Sequence, residues 1–421
     1  METTKINPVF TTLNRQVNHW RQAALKLKEF ESLASDIGWH GLDYKISALI
    51  KSTLHKSVEA VLTHAELLKE RIETLSDKDE IPGSLMQDLL SLRTRYLKAE
   101  ETIHFYTTAI NSRTTPNVAA MLRACDILCL RSMRSLLDQL NISSPYVMTY
   151  VQYGVGASIL KANLRLWDGN MSSVAAVKVT RHNLFRPTAI IHETGHQISH
   201  LVNWNSELAS AFMNLPGNHP EAAKSAFASW ASEMAADAFA FVHCGYASTA
   251  ALHDVICGNP ESVFAYHFRD PHPVGYVRVL LNIEMCRQLY GAGPWDELEA
   301  SFKFSYNLDK GGHASEDLIR ICLAALPDAV QLILERPYRA FGTKSLTALI
   351  DPEAVSPQSL LKLQNAAGDA LYTSHAWIWR ECIRLLAHNG YLIALGRGDL
   401  ASLYKQQEQW MIRLGFSTEL N

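Results

Sequence analysis

The chain has 421 residues, 48% hydrophobic and 19% charged, which predicts a globular protein with ample core and room for two or three domains. Lys and Arg total 39 against 42 Asp and Glu, a formal net charge of −3, so no global basic field argues for a nucleic-acid partner. No apolar run reaches the roughly 18 residues a spanning helix needs, and Met1–Pro8 lacks the apolar stretch of a signal peptide, so a cytoplasmic chain without a membrane span is expected. The 7 cysteines are odd in number and scattered through apolar segments, which fits core thiols in a reducing compartment. Cys125 and Cys129 share a helix face, but no second Cys or His pair at ligand spacing accompanies them.

From Asn14 to Leu140 apolar residues recur at threes and fours, as in Val17, Trp20, Ala24 and Leu27 and again in Ile46, Ile50, Leu54, Val58 and Val61. Breaks are expected at Ile37–Gly41, Ser76–Gly83 and Ser112–Pro116, the last reading as a helix start. Residues 1–145 are thus expected to form a helical bundle of packed hairpins, a scaffold region through which a regulatory protein partner could dock. Within it Glu101 and His104 form a Glu-x-x-His pair.

Asn141–Pro145 marks the boundary into a second region, 146–300. Tyr146–Leu166 is apolar with glycines, Trp167–Asn170 signals a turn, and Ser173–Thr180 reads as a strand with Val174, Val177 and Val179 as its β-branched positions. Pro187 then suits the first turn of a helix carrying His192-Glu-Thr-Gly-His196. Histidines four apart leave one face of a helix about a turn from each other, close enough to share a zinc ion, and Glu193 beside them is placed to take a proton from an attacking water. His200 lies too far along the axis, and Ser199 and Val202 stand where a metzincin would have Gly and His.

A hydrolytic zinc needs a third protein ligand. Ser229–Phe241 is rich in Ala and reads as a buried helix on which Glu233 and Asp237 share a face. Glu233 is the expected third ligand, and Asp237 the group that accepts the other N–H of a ligand histidine; Glu207 and Glu221 are lesser candidates.

These residues, with His272-Pro-Val-Gly-Tyr-Val-Arg278, resemble the gluzincin zinc metallopeptidases, among them the CAAX-prenyl endopeptidase type and its soluble bacterial relatives, over about residues 150–290. The resemblance implies a zincin-like metallopeptidase core with a small β-sheet, one Zn2+ per chain and a protein or peptide substrate. It implies His272 as a donor to a tetrahedral oxyanion and Arg278 as a support of the site. Apart from the resemblance, His267 and Tyr276 read as runners-up for the donor, and His243 and His253 as structural. The resemblance further implies that the strand before the zinc helix is a sheet edge on which extended peptide would lie. No Gly-x-Met-Glu-Asn segment of the aminopeptidase kind is present. The prenyl endopeptidases are membrane-embedded, so their chemistry carries over but their lipidated substrate does not.

After Gly291–Pro294 the chain reads as helical again, with a C-terminal region at 301–421 and helices at Asp317–Leu326, Pro327–Leu334, Ser359–Ala370, Ser374–His388 and Leu400–Leu414. Glu335–Lys344, basic and aromatic, is expected as a solvated linker. The fold class expected is mainly α (α+β), and the activity that of a zinc-dependent endopeptidase with Glu193 as general base. Two alternatives stand beside it: an idle zinc-bearing scaffold, and a di-iron bundle oxidoreductase using Glu101/His104 and Glu193/His196.

Overall fold

The structure, a computed structural model, describes residues 8–75, 83–154, 156–310, 314–396 and 398–417. The chain divides into two compact units, Met1–Ala119 with Lys161–Ala175, and Ala120–Leu160 with Ala176–Asn421. It is mainly helical with one small sheet. Among the described residues no helix is long and apolar enough to cross a membrane.

In the first unit α1 (Pro8–Leu27), α3 (Tyr44–Glu73) and α4 (Gly83–Asn111) pack on one another through the predicted periodic residues, with Val17, Ala24, Ile50, Leu54, Val58 and Val61 all buried. Ile37–Gly41 is not a plain break. It holds a one-turn helix, α2 (Asp36–His40), whose first turn is capped by Ser35 Oγ accepting from Gly38 N at 3.0 Å. The break expected at Ser76–Gly83 falls, up to residue 82, outside the described residues, as do Met1–Asn7. Residues 161–175 join this unit through short side chains on α3: Ser57 Oγ donates to Asp168 Oδ2 at 2.8 Å, and the hydroxyls of Thr53 and Ser173 lie 2.7 Å apart.

The next helix, α5 (Pro116–Leu137), starts at the expected Pro and belongs to the second unit from Ala120. Three strands follow, β1 (Tyr146–Val151), β2 (Ser158–Leu160) and β3 (Val174–Val179), in the order β1-β3-β2. β2 runs antiparallel to β3 with Ser158 opposite Lys178 and Leu160 opposite Ala176. The strand expected at a sheet edge is therefore the central one, and the sequence carries the reason: Val174–Val177 and Val179 are all buried, a continuous apolar run rather than a half-exposed alternation. The edge that lies against the metal-motif helix is β2.

Helices complete the unit: α6 (Ala189–Leu201), α7 (Trp204–Met213), α8 (Glu221–Ser229), α9 (Ala231–Cys244), α10 (Tyr246–Ile256), α11 (Pro260–Phe264), α12 (Gly275–Tyr290), α13 (Pro294–Ser305), α14 (Glu316–Glu335), α15 (Leu346–Leu349), α16 (Pro357–Ala367), α17 (Ala370–Thr373), α18 (His375–Ala394) and α19 (Leu400–Gly415). The two helices expected around Pro327 are one, α14. Its long buried stripe, Ile319, Cys322, Ala325, Leu326, Ala329, Val330 and Ile333, holds both halves in line although Pro327 removes one backbone donor.

At the centre stands α9, whose residues are all buried apart from Ser232, and which packs against α6, α7, α10, α12 and α18. Its alanines, Ala231, Ala235 and Ala238 toward one side and Ala236 and Ala240 toward the other, let neighbouring helices come close. The nearest approach is to α6: a Cβ on Gly195 would lie 2.8 Å from Ala236 Cα, so this crossing requires glycine. Glu335–Lys344 is not a solvated linker, because Tyr338 and Phe341 are fully buried and pack edge-on or tilted against Trp204.

Candidate metal centre

The close crossing of α6 and α9 brings two pieces of sequence into one place. His192 and His196 leave α6 on the side of α9, their rings 4.7 Å apart, and Glu233 comes from the first turn of α9 to meet them. His192 Nε2 is 3.5 Å from Glu233 Oε2, and His196 Nε2 is 3.2 Å from Glu233 Oε1. The three ligand atoms lie within 4.8 Å of one another, and among the described residues this is the cluster of His, Cys, Asp or Glu side chains that could hold a metal ion.

One turn further along α9, Asp237 Oδ1 sits 2.8 Å from His192 Nδ1. Hydrogen bonding there fixes which ring nitrogen faces Glu233. Arg278, from the first turn of α12, donates from Nε and Nη2 to the two oxygens of Asp237, each at 2.7 Å, and its Nη2 lies 3.1 Å from Glu233 Oε2. Asn282, one turn on, donates to Asp237 Oδ2 at 3.4 Å. Asp237 is 3% exposed, so its charge stands in a dry place and this bidentate arginine is what makes that tolerable.

The electrostatics follow from the packing. Burial disfavours charge on Glu233 and Asp237, but hydrogen bonds and the Arg278 cation overcome it and hold both carboxyls below their ordinary range. Burial likewise works against charge on His192, yet its hydrogen bonds to Asp237 and Glu233 raise it to about 10. Without a metal the cluster is thus a buried network of paired charges.

Glu193 is 7% exposed, and among the described residues no side chain hydrogen-bonds to its carboxylate. His272 stands on the open side of the cluster, 58% exposed, with Nε2 3.7 Å from Glu233 Oε1 and Nδ1 2.7 Å from Asp270 Oδ1.

No protein-family model, curated protein or solved structure matches this chain. What the site can do is therefore read from its own geometry.

The other candidates lie elsewhere. Glu207 accepts from Arg339 N at 2.9 Å and Ala340 N at 3.0 Å, and so anchors the 335–344 segment. Glu221 is exposed at the start of α8, and His200 at the end of α6. Tyr276 is buried and stacks on Phe302, His267 is exposed, and Glu101 and His104 are both exposed on α4. His243 bonds Ser135 Oγ and Phe239 O, and His253 bonds Asp254 and Cys257, both within the protein fabric. Three contributors escaped the sequence reading: Asp270 behind His272, Asn282 behind Asp237, and Ser232, whose Oγ lies 3.4 Å from His196 Nδ1. For Asp270 the spacing Asp-x-His was a usable signal. For the other two no local pattern existed.

Proposed function

We propose that this chain is a zinc-dependent endopeptidase that cleaves extended peptide segments in the cytoplasm. The observation that carries the reading is the meeting of both histidine Nε2 atoms at opposite oxygens of Glu233, 3.5 and 3.2 Å away, with Asp237 fixing the far side of His192. Donors sharing a tetrahedral zinc at about 2.0–2.1 Å stand roughly 3.3 Å apart, so the spacing fits, and two imidazoles with one carboxylate form a donor set suited to zinc. When bound there, zinc would supply Lewis acidity, lowering the pKa of a water and polarising a carbonyl.

The rest is the work of the chain itself. Glu193, on the same helix between the two histidines, takes a proton from the attacking water at its carboxylate and passes it to the leaving amine nitrogen. Asp237 and Arg278 keep His192 aimed. His272, on the open side, contacts the carbonyl oxygen of the scissile bond. β2 offers the free edge of the sheet beside α6, where peptide main chain can pair. Six of the seven cysteines are buried, the placement of core thiols in a reducing compartment.

The test is Glu193→Gln, assayed on peptide libraries beside metal analysis. The variant should keep its metal and lose turnover by about 10²–10⁴-fold or more. Near-normal hydrolysis would contradict the mechanism.

A further inference from the structure

His272 meets Glu233 in the manner of His192. In each, Nδ1 is tied to a carboxylate, Asp237 at 2.8 Å and Asp270 at 2.7 Å respectively, and Nε2 is turned toward Glu233, at 3.5 and 3.7 Å. A carboxylate that accepts the Nδ1 proton of a neutral imidazole leaves the lone pair on Nε2, which is the form and the backing found behind metal-ligating histidines. The same carboxylate also stabilises the imidazolium, which donates from Nε2 to an oxyanion once the ring has left the metal and taken up a proton.

Asp270 is itself held. It accepts from His272 N at 3.0 Å, and its own N donates to His267 O at 3.0 Å, in a turn that places Arg269 at φ 72°. The turn thus aims the imidazole at the cluster. Yet His272 stands outside the group of ligand atoms lying within 4.8 Å of one another, and its side chain is 58% exposed, so it has room to advance and to withdraw. Shared coordination requires spacings of roughly 3.3 Å, so Nε2, 3.7 Å from Glu233 Oε1, would complete the set by swinging toward His192 and His196.

We propose that His272 is a fourth, displaceable metal ligand. In the resting protein its Nε2 joins His192, His196 and Glu233 and closes the position that substrate needs. Substrate, or a zinc-binding inhibitor, must move it aside, and Asp270 keeps the displaced ring next to the carbonyl oxygen. This rests on the zinc reading above and adds regulation to it: the centre is latent until its own histidine is displaced.

The experiment compares wild type, His272→Ala and Asp270→Asn as purified zinc proteins by X-ray absorption, as cobalt(II) proteins by visible spectroscopy, and by titration with acetohydroxamate. Wild type should show three imidazoles per metal and His272→Ala two, with one metal per chain in both. Acetohydroxamate should bind His272→Ala roughly tenfold or more tighter, because a competing ligand is gone, with Asp270→Asn between. Two imidazoles in the wild type, or a hydroxamate affinity unchanged or weakened in His272→Ala, would overturn the proposal. A wild-type protein that binds no metal, or metal that persists in His192→Ala, would overturn the zinc reading instead.

Discussion

Glu101 and His104 on α4 carry the same Glu-x-x-His spacing as Glu193 and His196 on α6. On α4 both side chains are exposed. On α6 Glu193 is buried, His196 faces a carboxylate, and a preceding histidine is bound to an aspartate. The helical spacing is identical, so spacing does not make the difference. What does is the arrival of partners from distant sequence: Glu233 and Asp237 on α9, and Arg278 on α12. A short motif becomes a candidate metal site when close packing, here at Gly195 against Ala236, brings it against charged side chains buried beside it.

The most severe way to break that difference is to remove the cation. Arg278→Ala would leave Asp237 buried without its bidentate partner, and a buried ion pair that loses one member typically costs about 3–5 kcal/mol. Chemical denaturation of the metal-free variant should show a loss of that order. A loss below about 1 kcal/mol, the range of a surface pair, would mean that the network is wetter than its burial indicates.

The same contrast recurs between histidines of the second unit. His192 and His243 are both enclosed, yet His192 is raised to about 10 by its carboxylate bonds, while burial, outweighing the backbone groups of Phe239 and Ser132, lowers His243 to about 4. The sign for His243 is that of a group depressed on folding. Its contribution is present above its unfolded pKa of about 6.5 and is lost as pH falls toward 4, on the order of 3 kcal/mol. For His192 in the metal-free protein the sign reverses, with stability present below about 6.5 and lost as pH rises through about 10. Denaturation midpoints at pH 7 and 4.5 should fall more steeply in wild type than in His243→Asn. Equal slopes would remove His243 from the account.

The smallest expected effect completes the comparison. Glu101→Gln with His104→Ala should leave metal content unchanged and shift stability by no more than about 0.5 kcal/mol, as for exposed positions elsewhere. Loss of metal in that double variant would revive the di-iron alternative.

Much of this was legible in the chain. The four-residue spacing of His192 and His196 and the Ala-rich run around Glu233 and Asp237 are local patterns, and a helix turns local patterns into geometry directly. The long apolar periods before residue 140 are of the same kind. What escaped depends on partners that no local window contains. Sheet order is one case: β3 became central because β2, a short exposed segment, pairs to one side of it. Glu207 is another, since its role was set by backbone donors at Arg339 and Ala340, more than 130 positions away. The 335–344 segment is both basic and aromatic, and its place is decided by the aromatic residues, buried against Trp204, a partner more than 130 positions away. In Asp270–His272 the pattern was present but too short to stand out.

The central claim is that His192, His196 and Glu233 form one metal centre. Elemental analysis of the purified protein beside His192→Ala and Glu233→Ala tests it most directly. One zinc per chain, absent from both variants, is the predicted result. Two irons per chain, or zinc that survives the loss of Glu233, would contradict it.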